Sequence, residues 1–356
     1  MAKNRNHNSF DESDVRIRAP KSKPRRSKDR PDYSKLAIGF VITVDRGRSR
    51  TILESDGLES GGLESDGLES GGLESGREVI AMKARELGKN SVVVGDLVRL
   101  DGDISGAEGT LARIVEVLPR SNSLSRTVDD IGAQEKFVAA NVDQLVIVVA
   151  AANPEPRHGF VDRCLAVAFD QGITPILVIT KSDLANPEDF LEAYKALEIK
   201  SFKSSLPREL RENSKNDLIP PNLLGALQGK KSVLIGHSGV GKSTLVNALL
   251  QNNARETGDV NLATGRGRHT SSSAYALELP GGGWIIDTPG VRSFGLEHID
   301  RSRIISSFGE LAELIERCPK NCSHNESECA LNSVPAGSPT ALRINGLRRI
   351  LAAASD

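Results

Sequence analysis

Short apolar segments with the character of β-strands run from Leu36 to residue 118. They read AIGFVITVD, EVIAMKAREL, SVVVGDLVRLDG and GTLARIVEVLP, and glycine and aspartate lie between them. Runs rich in β-branched residues and bounded by turn residues predict strands. Four or five short strands within about eighty residues predict a small barrel.

Between residues 119 and 295, apolar strands alternate with helical segments. The strands are DQLVIVVAA, ITPILVITK, KKSVLIG and GWIIDTPG, and helices are predicted near Phe160–Gln171, near Pro187–Leu197 and in GKSTLVNALLQ. Alternation of this kind predicts a parallel, doubly wound α/β sheet. Residues 296–356 contain helical segments around a cysteine-rich stretch, which predicts a third, small unit.

An internal repeat interrupts the barrel region at residues 53–76. The sequence LESDGLESGG occurs at 53–62 and again at 63–72, and the segment contains seven acidic residues and no basic one. Its five-residue period fits neither a strand nor a helix, so we interpret it as a flexible insertion in the first hairpin loop. An inert expansion of that loop is the simplest explanation.

Charge is distributed unevenly along the 356 residues, although the formal net charge is −1. Residues 1–35 carry eleven Lys or Arg against five acidic residues and few large apolar groups, which predicts a disordered basic tail. The longest apolar run, Leu145–Ala152, is far shorter than the roughly 20 residues of a membrane span. The N-terminus lacks the pattern of a secretory signal, so we expect a cytoplasmic protein that does not enter a membrane.

A glycine-rich segment matches the phosphate-binding P-loop pattern GxxxxGK[ST]. It follows the strand VLI and precedes the helical run TLVNALL. Its glycines allow backbone N–H groups to surround a phosphate, Lys242 can reach the phosphate oxygens, and Ser243 offers a hydroxyl ligand to Mg²⁺. The predicted nucleotide-binding residues of this segment are Gly236, His237, Ser238, Gly239, Val240, Gly241, Lys242, Ser243 and Thr244.

Two further motifs follow predicted strands. After PILVI stand Thr180, Lys181, Ser182 and Asp183, and the Asp183 carboxylate can accept hydrogen bonds from N1–H and the N2 amine of guanine, a pair that adenine lacks. After WII comes DTPG, in which Asp287 can hold Mg²⁺ and Gly290 can place an N–H on the γ-phosphate. An ordinary GTPase has the order P-loop, DxxG, NKxD. Here TKSD comes first, which indicates a circular permutation.

A cysteine and histidine cluster lies in the C-terminal region. Three thiols and one imidazole within twelve residues suit a structural Zn²⁺ bound tetrahedrally, with Cys318, Cys322, His324 and Cys329 as ligands. Cys164 lies apart from them on the apolar side of a predicted helix, so we expect it to be buried.

Together these features resemble the ribosome small subunit-dependent GTPase A family. The resemblance covers about residues 36–345 and includes GHSGVGKS, GRHT at 267–270, DTPGVRSF at 287–294 and CPKNCSHNESECA. It implies an RNA-binding OB-fold over 36–118, a circularly permuted GTPase domain over 119–295 and a helical zinc-binding domain over 296–356. It further implies a late-acting assembly factor of the small (30S) ribosomal subunit, which contacts 16S-type rRNA and is stimulated by that subunit. We expect a monomer.

The resemblance also assigns roles to individual residues. It makes Thr270 the switch residue that closes on Mg²⁺ and the γ-phosphate, although Thr257 and Thr264 are rivals on spacing alone. Ser204 and Ser205 stand where the family has a short loop against the base.

Catalysis needs a group that orients the attacking water. Val291 follows DTPG where many GTPases carry a glutamine, and an aliphatic side chain cannot orient water. His269 is therefore a candidate for this role, and a solvent-exposed or RNA-contacting loop histidine is the alternative. Two other functions stay open: a permuted GTPase of large-subunit assembly, and an RNA-binding module with a vestigial nucleotide site, which would work without Lys242.

Overall fold

The computed structural model describes residues 32–45, 47–54, 76–88, 91–127, 135–205, 219–220, 222–251, 274–288, 296 and 299–354. Most of the predicted basic tail and of the acidic insertion therefore lies outside the described residues. Leu36–Asp356 groups into one compact unit, separate from Met1–Lys35.

The predicted barrel is present. Its strands are β1 (Ala37–Asp45), β2 (Arg48–Leu53), β3 (Glu78–Lys83), β4 (Leu97–Gly102) and β5 (Ala112–Val117). Because β1 pairs with both β2 and β4, the strand order β1-β2-β3-β5-β4 closes on itself. Alternate side chains such as Val79, Ala81 and Ile114 are buried inside. The closed order confirms the OB-like barrel.

The predicted parallel sheet follows, after a two-stranded sheet of β6 (Ser123–Thr127) and β7 (Glu135–Ala140). Its neighbouring strands run β10-β9-β8-β11-β13, and the pairs in this series are parallel. The ranges of its strands are β8 (Gln144–Ala150), β9 (Thr174–Thr180), β10 (Lys200–Lys203), β11 (Lys231–Ile235) and β13 (Trp284–Asp287). β8 is buried along its whole length, as expected of a strand covered on both faces.

Helices cover this sheet, and an antiparallel strand borders it. The elements are α1 (His158–Asp170), α2 (Glu188–Lys195), α3 (Leu223–Leu227), α4 (Lys242–Gln251) and β12 (Tyr275–Glu278). In chain order β8 and β9 precede β11, yet β11 lies between β8 and β13 in the sheet. The three predicted motifs follow the parallel strands β9, β11 and β13, and the carboxyl ends of parallel strands lie at one edge of the sheet.

β12 joins the barrel to the parallel sheet. It pairs with β13 on one side, and its Tyr275 lies opposite Thr43 of β1 on the other. Close by, Phe40 of β1 packs on Trp284 of β13 with ring centroids 5.1 Å apart. The barrel and the α/β sheet therefore share part of one apolar core.

The C-terminal region is helical, as predicted. It contains α5 (Arg301–Ser306), α6 (Ala312–Ile315), α7 (Pro339–Ala353) and two 3-10 turns at Gly309–Leu311 and Ala330–Ser333, all within the described residues. Ser338 caps α7 by accepting a hydrogen bond from the Ala341 backbone N–H. Buried residues of α7 such as Leu347 and Ile350 join the same core as α1. Among the helices of the described ranges, none is both long and apolar enough to cross a membrane.

Candidate functional site

The P-loop segment links β11 to α4, which begins at Lys242. Gly239 and Gly241 have φ values of +81° and +90°, a region that side chains with a Cβ rarely adopt. A Cβ at Gly236 would lie 2.5 Å from the Val148 carbonyl oxygen. These glycines allow the chain to turn sharply beneath the start of α4, where backbone N–H groups can face an anion.

The TKSD motif packs directly against the P-loop, although Thr180 and Val240 are 60 positions apart in the chain. The Thr180 hydroxyl donates a hydrogen bond to the Val240 carbonyl oxygen, and a Cβ at Gly241 would lie 3.6 Å from Thr180 Oγ1. Lys181 adopts a φ of +56°, and its ammonium donates to the Asn153 carbonyl oxygen. The permuted order thus brings both motifs to one place.

The predicted base-contacting loop at Ser204 and Ser205 is hydrogen-bonded to the TKSD motif. The Ser182 backbone N–H and hydroxyl both lie 3.1 Å from the Ser204 carbonyl oxygen. Ser204 is buried, whereas the Asp183 side chain is exposed at the surface of the same edge. A carboxylate in that position is accessible to a ligand.

Asp287 ends β13 beside the P-loop lysine. It is buried, its Oδ1 forms an ion pair with the Lys242 ammonium, and its Oδ2 accepts a hydrogen bond of 3.1 Å from the Tyr275 hydroxyl. Burial and the neighbouring Asp287 charge raise the pKa of Tyr275 to about 12, so the phenol stays protonated and can donate. The following residue, Thr288, donates from its hydroxyl to the Leu234 carbonyl oxygen at 3.2 Å.

A cleft of about 290 Å³ opens on the α1 side of the P-loop. Apolar and charged side chains from the segment before α1 line it together with His237 and Ser238 of the P-loop. The His237 ring packs on Phe160 of α1 with centroids 4.3 Å apart. The P-loop pattern in the sequence includes His237, whereas no sequence pattern marks Phe160 or Tyr275, because each of these residues meets its partner across separate elements.

The cysteine and histidine cluster forms a compact set of possible metal ligands. The ligand atoms of Cys318, Cys322, His324 and Cys329 all lie within 4.8 Å of one another. The Cys318 and Cys329 sulfurs are 3.8 Å apart, and each lies within 3.9 Å of His324 Nδ1. Two thiolates bound tetrahedrally at usual Zn–S lengths would be about 3.8 Å apart, so the spacing fits such an ion.

Neighbouring groups hold this cluster in shape. Burial lowers the pKa of His324, which favours the neutral imidazole that binds metals. Arg348 of α7 donates to the His324 carbonyl oxygen at 2.7 Å and to the Asn332 side chain at 2.6 Å. Cys164, by contrast, is buried in α1 as predicted, and burial raises the pKa of its thiol.

Several predicted residues lie outside the described residues. They are His269, Thr270, Gly290 and the rival threonines Thr257 and Thr264. Their assignments stay predictions.

Comparison with known proteins identifies the family. The RsgA GTPase family matches residues 117–297. "Small ribosomal subunit biogenesis GTPase RsgA" of Pseudomonas aeruginosa (strain LESB58) is 40% identical over 242 residues, covering 67% of this chain and 70% of the relative. The protein of the same name from Saccharophagus degradans is 38% identical over 273 residues, covering 75% and 77%.

Solved structures support the same fold. YjeQ from Thermotoga maritima has 24% sequence identity and a TM-score of 0.58, covering 88% of this chain and 98% of its own. YloQ, described as a circularly permuted GTPase, has 22% identity and a TM-score of 0.56, covering 90% and 97%. The resemblance inferred from the motifs is therefore confirmed, and the chain belongs to the RsgA GTPase family.

Proposed function

We propose that this chain hydrolyses GTP to GDP and phosphate in the biogenesis of the small ribosomal subunit. The observation that carries the proposal is the convergence of TKSD, the P-loop and Asp287 at one edge of the parallel sheet. Membership of the RsgA GTPase family and the names of its curated relatives point to the same activity.

The P-loop binds the phosphates in this proposal. Backbone N–H groups of Gly236 to Thr244 surround the β-phosphate, and the start of α4 favours its negative charge. Lys242 neutralises the phosphate oxygens. Its ion pair with Asp287 supports this role, because it holds the ammonium beside the end of β13.

The TKSD motif and the loop at Ser204 and Ser205 recognise the guanine base in this proposal. Asp183 accepts from the two guanine donors, Lys181 lies against Asn153 beside it, and Ser204 and Ser205 form the loop against the base. The exposure of the Asp183 carboxylate and its place beyond β9 support this assignment.

Mg²⁺ is the expected metal at the phosphates. The Ser243 hydroxyl and the Asp287 carboxylate are oxygen donors, the ligand type that Mg²⁺ prefers, and Thr270 is the third assignment, made on sequence. When bound with GTP, the ion neutralises charge that develops on the phosphate oxygens. His269 positions the attacking water, and Gly290 contacts the γ-phosphate.

The C-terminal cluster holds zinc in a structural role. Three sulfurs and one imidazole complete a tetrahedral set, which leaves no position for a reacting water. The ion therefore stabilises the helical region in which α7 also packs.

The barrel is the proposed rRNA contact. On its outer face, Met82 of β3 lies between Arg48 of β2 and Arg113 of β5, and all three are exposed. Ile80, in the same strand, lies opposite Arg50. The exposed Arg48 and Arg113 can neutralise phosphates of an RNA backbone. We propose a cytoplasmic monomer that acts on the 30S subunit and its 16S-type rRNA.

Phosphate release tests this proposal. Purified protein is given GTP or ATP with small subunits, with large subunits or with neither. We expect phosphate to be released from GTP and not from ATP, and we expect small subunits to stimulate this release strongly. Lys242→Ala abolishes it because the phosphates lose their cation, Asp183→Ala weakens GTP binding, and Lys230→Ala serves as the control for an exposed lysine.

Other results would overturn parts of the proposal. Stimulation by large subunits would indicate the alternative site of action. Equal binding of small subunits by Lys242→Ala and wild type, without hydrolysis by either, would indicate an RNA-binding module.

A further inference from the structure

Tyr275 occupies a junction between the barrel and the nucleotide site. It is the first residue of β12, and it lies directly opposite Asp287 in β13 and opposite Thr43 in β1. Side chains opposite each other in antiparallel strands lie on the same face of the sheet. Tyr275 is therefore the neighbour of Asp287 on the side that faces the barrel.

The Asp287 carboxylate is held through both of its oxygens. Lys242 contacts Oδ1, and the Tyr275 hydroxyl donates to Oδ2 at 3.1 Å. The Asp287 side chain is 8% exposed, so these contacts rather than bulk water orient its carboxylate. The two donors differ in kind, because the lysine is the first residue of α4 and also serves the phosphates, whereas the tyrosine belongs to a paired strand.

We propose that Tyr275 is a positioning residue that orients the Asp287 carboxylate for its metal ion. The inference rests on the proposed function, which makes Asp287 a Mg²⁺-binding group. A carboxylate oxygen has more than one lone pair, so Oδ2 can accept from the phenol while the carboxylate still serves a cation. A phosphate competes with Asp287 for the Lys242 ammonium, whereas the phenol stays anchored in β12.

Its place in β12 also links Asp287 to the barrel. The β1 strand pairs with β12 at Thr43, and Phe40 of β1 packs on Trp284 of β13. The β1 strand therefore contacts both β12, which carries Tyr275, and β13, which carries Asp287.

Tyr275→Phe tests the role, because it removes the hydroxyl and keeps the ring. The first readout is the Mg²⁺ concentration that half-maximally slows the release of fluorescently labelled GDP. We expect it to rise about tenfold, the loss of one hydrogen bond to a charged group, with GDP affinity in EDTA unchanged. Tyr194→Phe, which removes a hydroxyl bonded to His158 on another face, is the matched control.

A double-mutant cycle supplies a readout that needs no metal. Melting temperatures are measured in EDTA for Tyr275→Phe, Asp287→Ala and the double variant. If the phenol acts through Asp287, Tyr275→Phe lowers the melting temperature of the wild type and leaves that of Asp287→Ala unchanged.

The outcomes separate this inference from the proposed function. An unchanged Mg²⁺ dependence in Tyr275→Phe, or equal weakening of GDP binding with and without Mg²⁺, overturns the positioning role. If Asp287→Ala also leaves the Mg²⁺ dependence unchanged, the proposed metal assignment of Asp287 is itself wrong.

Discussion

Replacing Arg349 by methionine should weaken the packing of α7 against α1 and α2 and lower the stability of the fold. Arg349 of α7 lies over the Tyr194 ring at 5.0 Å and donates to the Ala193 carbonyl oxygen at 3.0 Å. Its Nε is 3.4 Å from an oxygen of Asp162 in α1. Methionine keeps most of the apolar stem but leaves the Asp162 charge buried without its cation.

The structure sets the size of the effect. Removing one partner of a fully buried ion pair costs about 3–5 kcal/mol. The Asp162 side chain is 6% exposed but that of Arg349 is 35% exposed, so solvent screens the pair and we expect about 2–3 kcal/mol. That loss corresponds to a fall in melting temperature of roughly 3–5 °C for the unit Leu36–Asp356.

The loss should depend on pH in a defined direction. Burial raises the pKa of Asp162, and Arg349 opposes that rise, so the variant has a still higher folded-state pKa. A carboxyl whose pKa is higher folded than unfolded destabilises the protein when ionised, and the penalty falls as pH drops through the folded pKa. The deficit of Arg349→Met is therefore full at pH 8 and shrinks toward about pH 4, near the ordinary pKa of Asp.

Thermal unfolding at pH 8 and pH 5 measures the effect. The buried Trp284, the sole tryptophan of the sequence, reports the barrel junction by fluorescence, and circular dichroism reports the helices. Arg163→Met, an exposed arginine next to Asp162, is the control. Adding Asp162→Asn to Arg349→Met should restore much of the loss. Equal melting temperatures for the two single variants, or a deficit that grows at low pH, would refute the reasoning.

Two further substitutions have matched controls. A Cβ at Gly346 would lie 2.5 Å from Leu197 Cδ2, so Gly346→Ala should destabilise the fold by about 1–3 kcal/mol in denaturant unfolding. In α1 a Cβ at Gly159 meets nothing within 4 Å, so Gly159→Ala should be neutral or stabilising, and equal losses would contradict the packing argument. If the cluster binds zinc as proposed, Cys318→Ser should lose the metal and lower the melting temperature, whereas Cys164→Ser should retain the metal in a metal-content assay.

Local patterns in the chain predict much of this architecture. The uninterrupted apolar strand at Gln144–Ala150 and the strand before the P-loop predict buried parallel strands, and both are present. Helices predicted near Phe160–Gln171 and Pro187–Leu197 occur at His158–Asp170 and Glu188–Lys195. These features follow from periodicity and turn chemistry within about ten residues, which a single segment carries.

The functional motifs are local in the same sense. The P-loop and TKSD depend on glycine conformations and strand ends, so their residue types indicate their place in the fold. The roles assigned to Asp183, Thr270 and His269 stay predictions, and Thr270 and His269 lie outside the described residues.

Contacts between distant segments carry no such signal in the chain. Arg349 meets Asp162 across 187 positions, and Tyr275 meets Asp287 only because β12 and β13 pair in one register. The same holds for α7, whose apolar side joins the core of α1 instead of closing a core of its own. Residue types and spacing therefore specify the strands, the helices and the chemistry of each motif. Which side chains meet depends on how those elements pack, because burial and pairing energies arise only between surfaces that folding brings together.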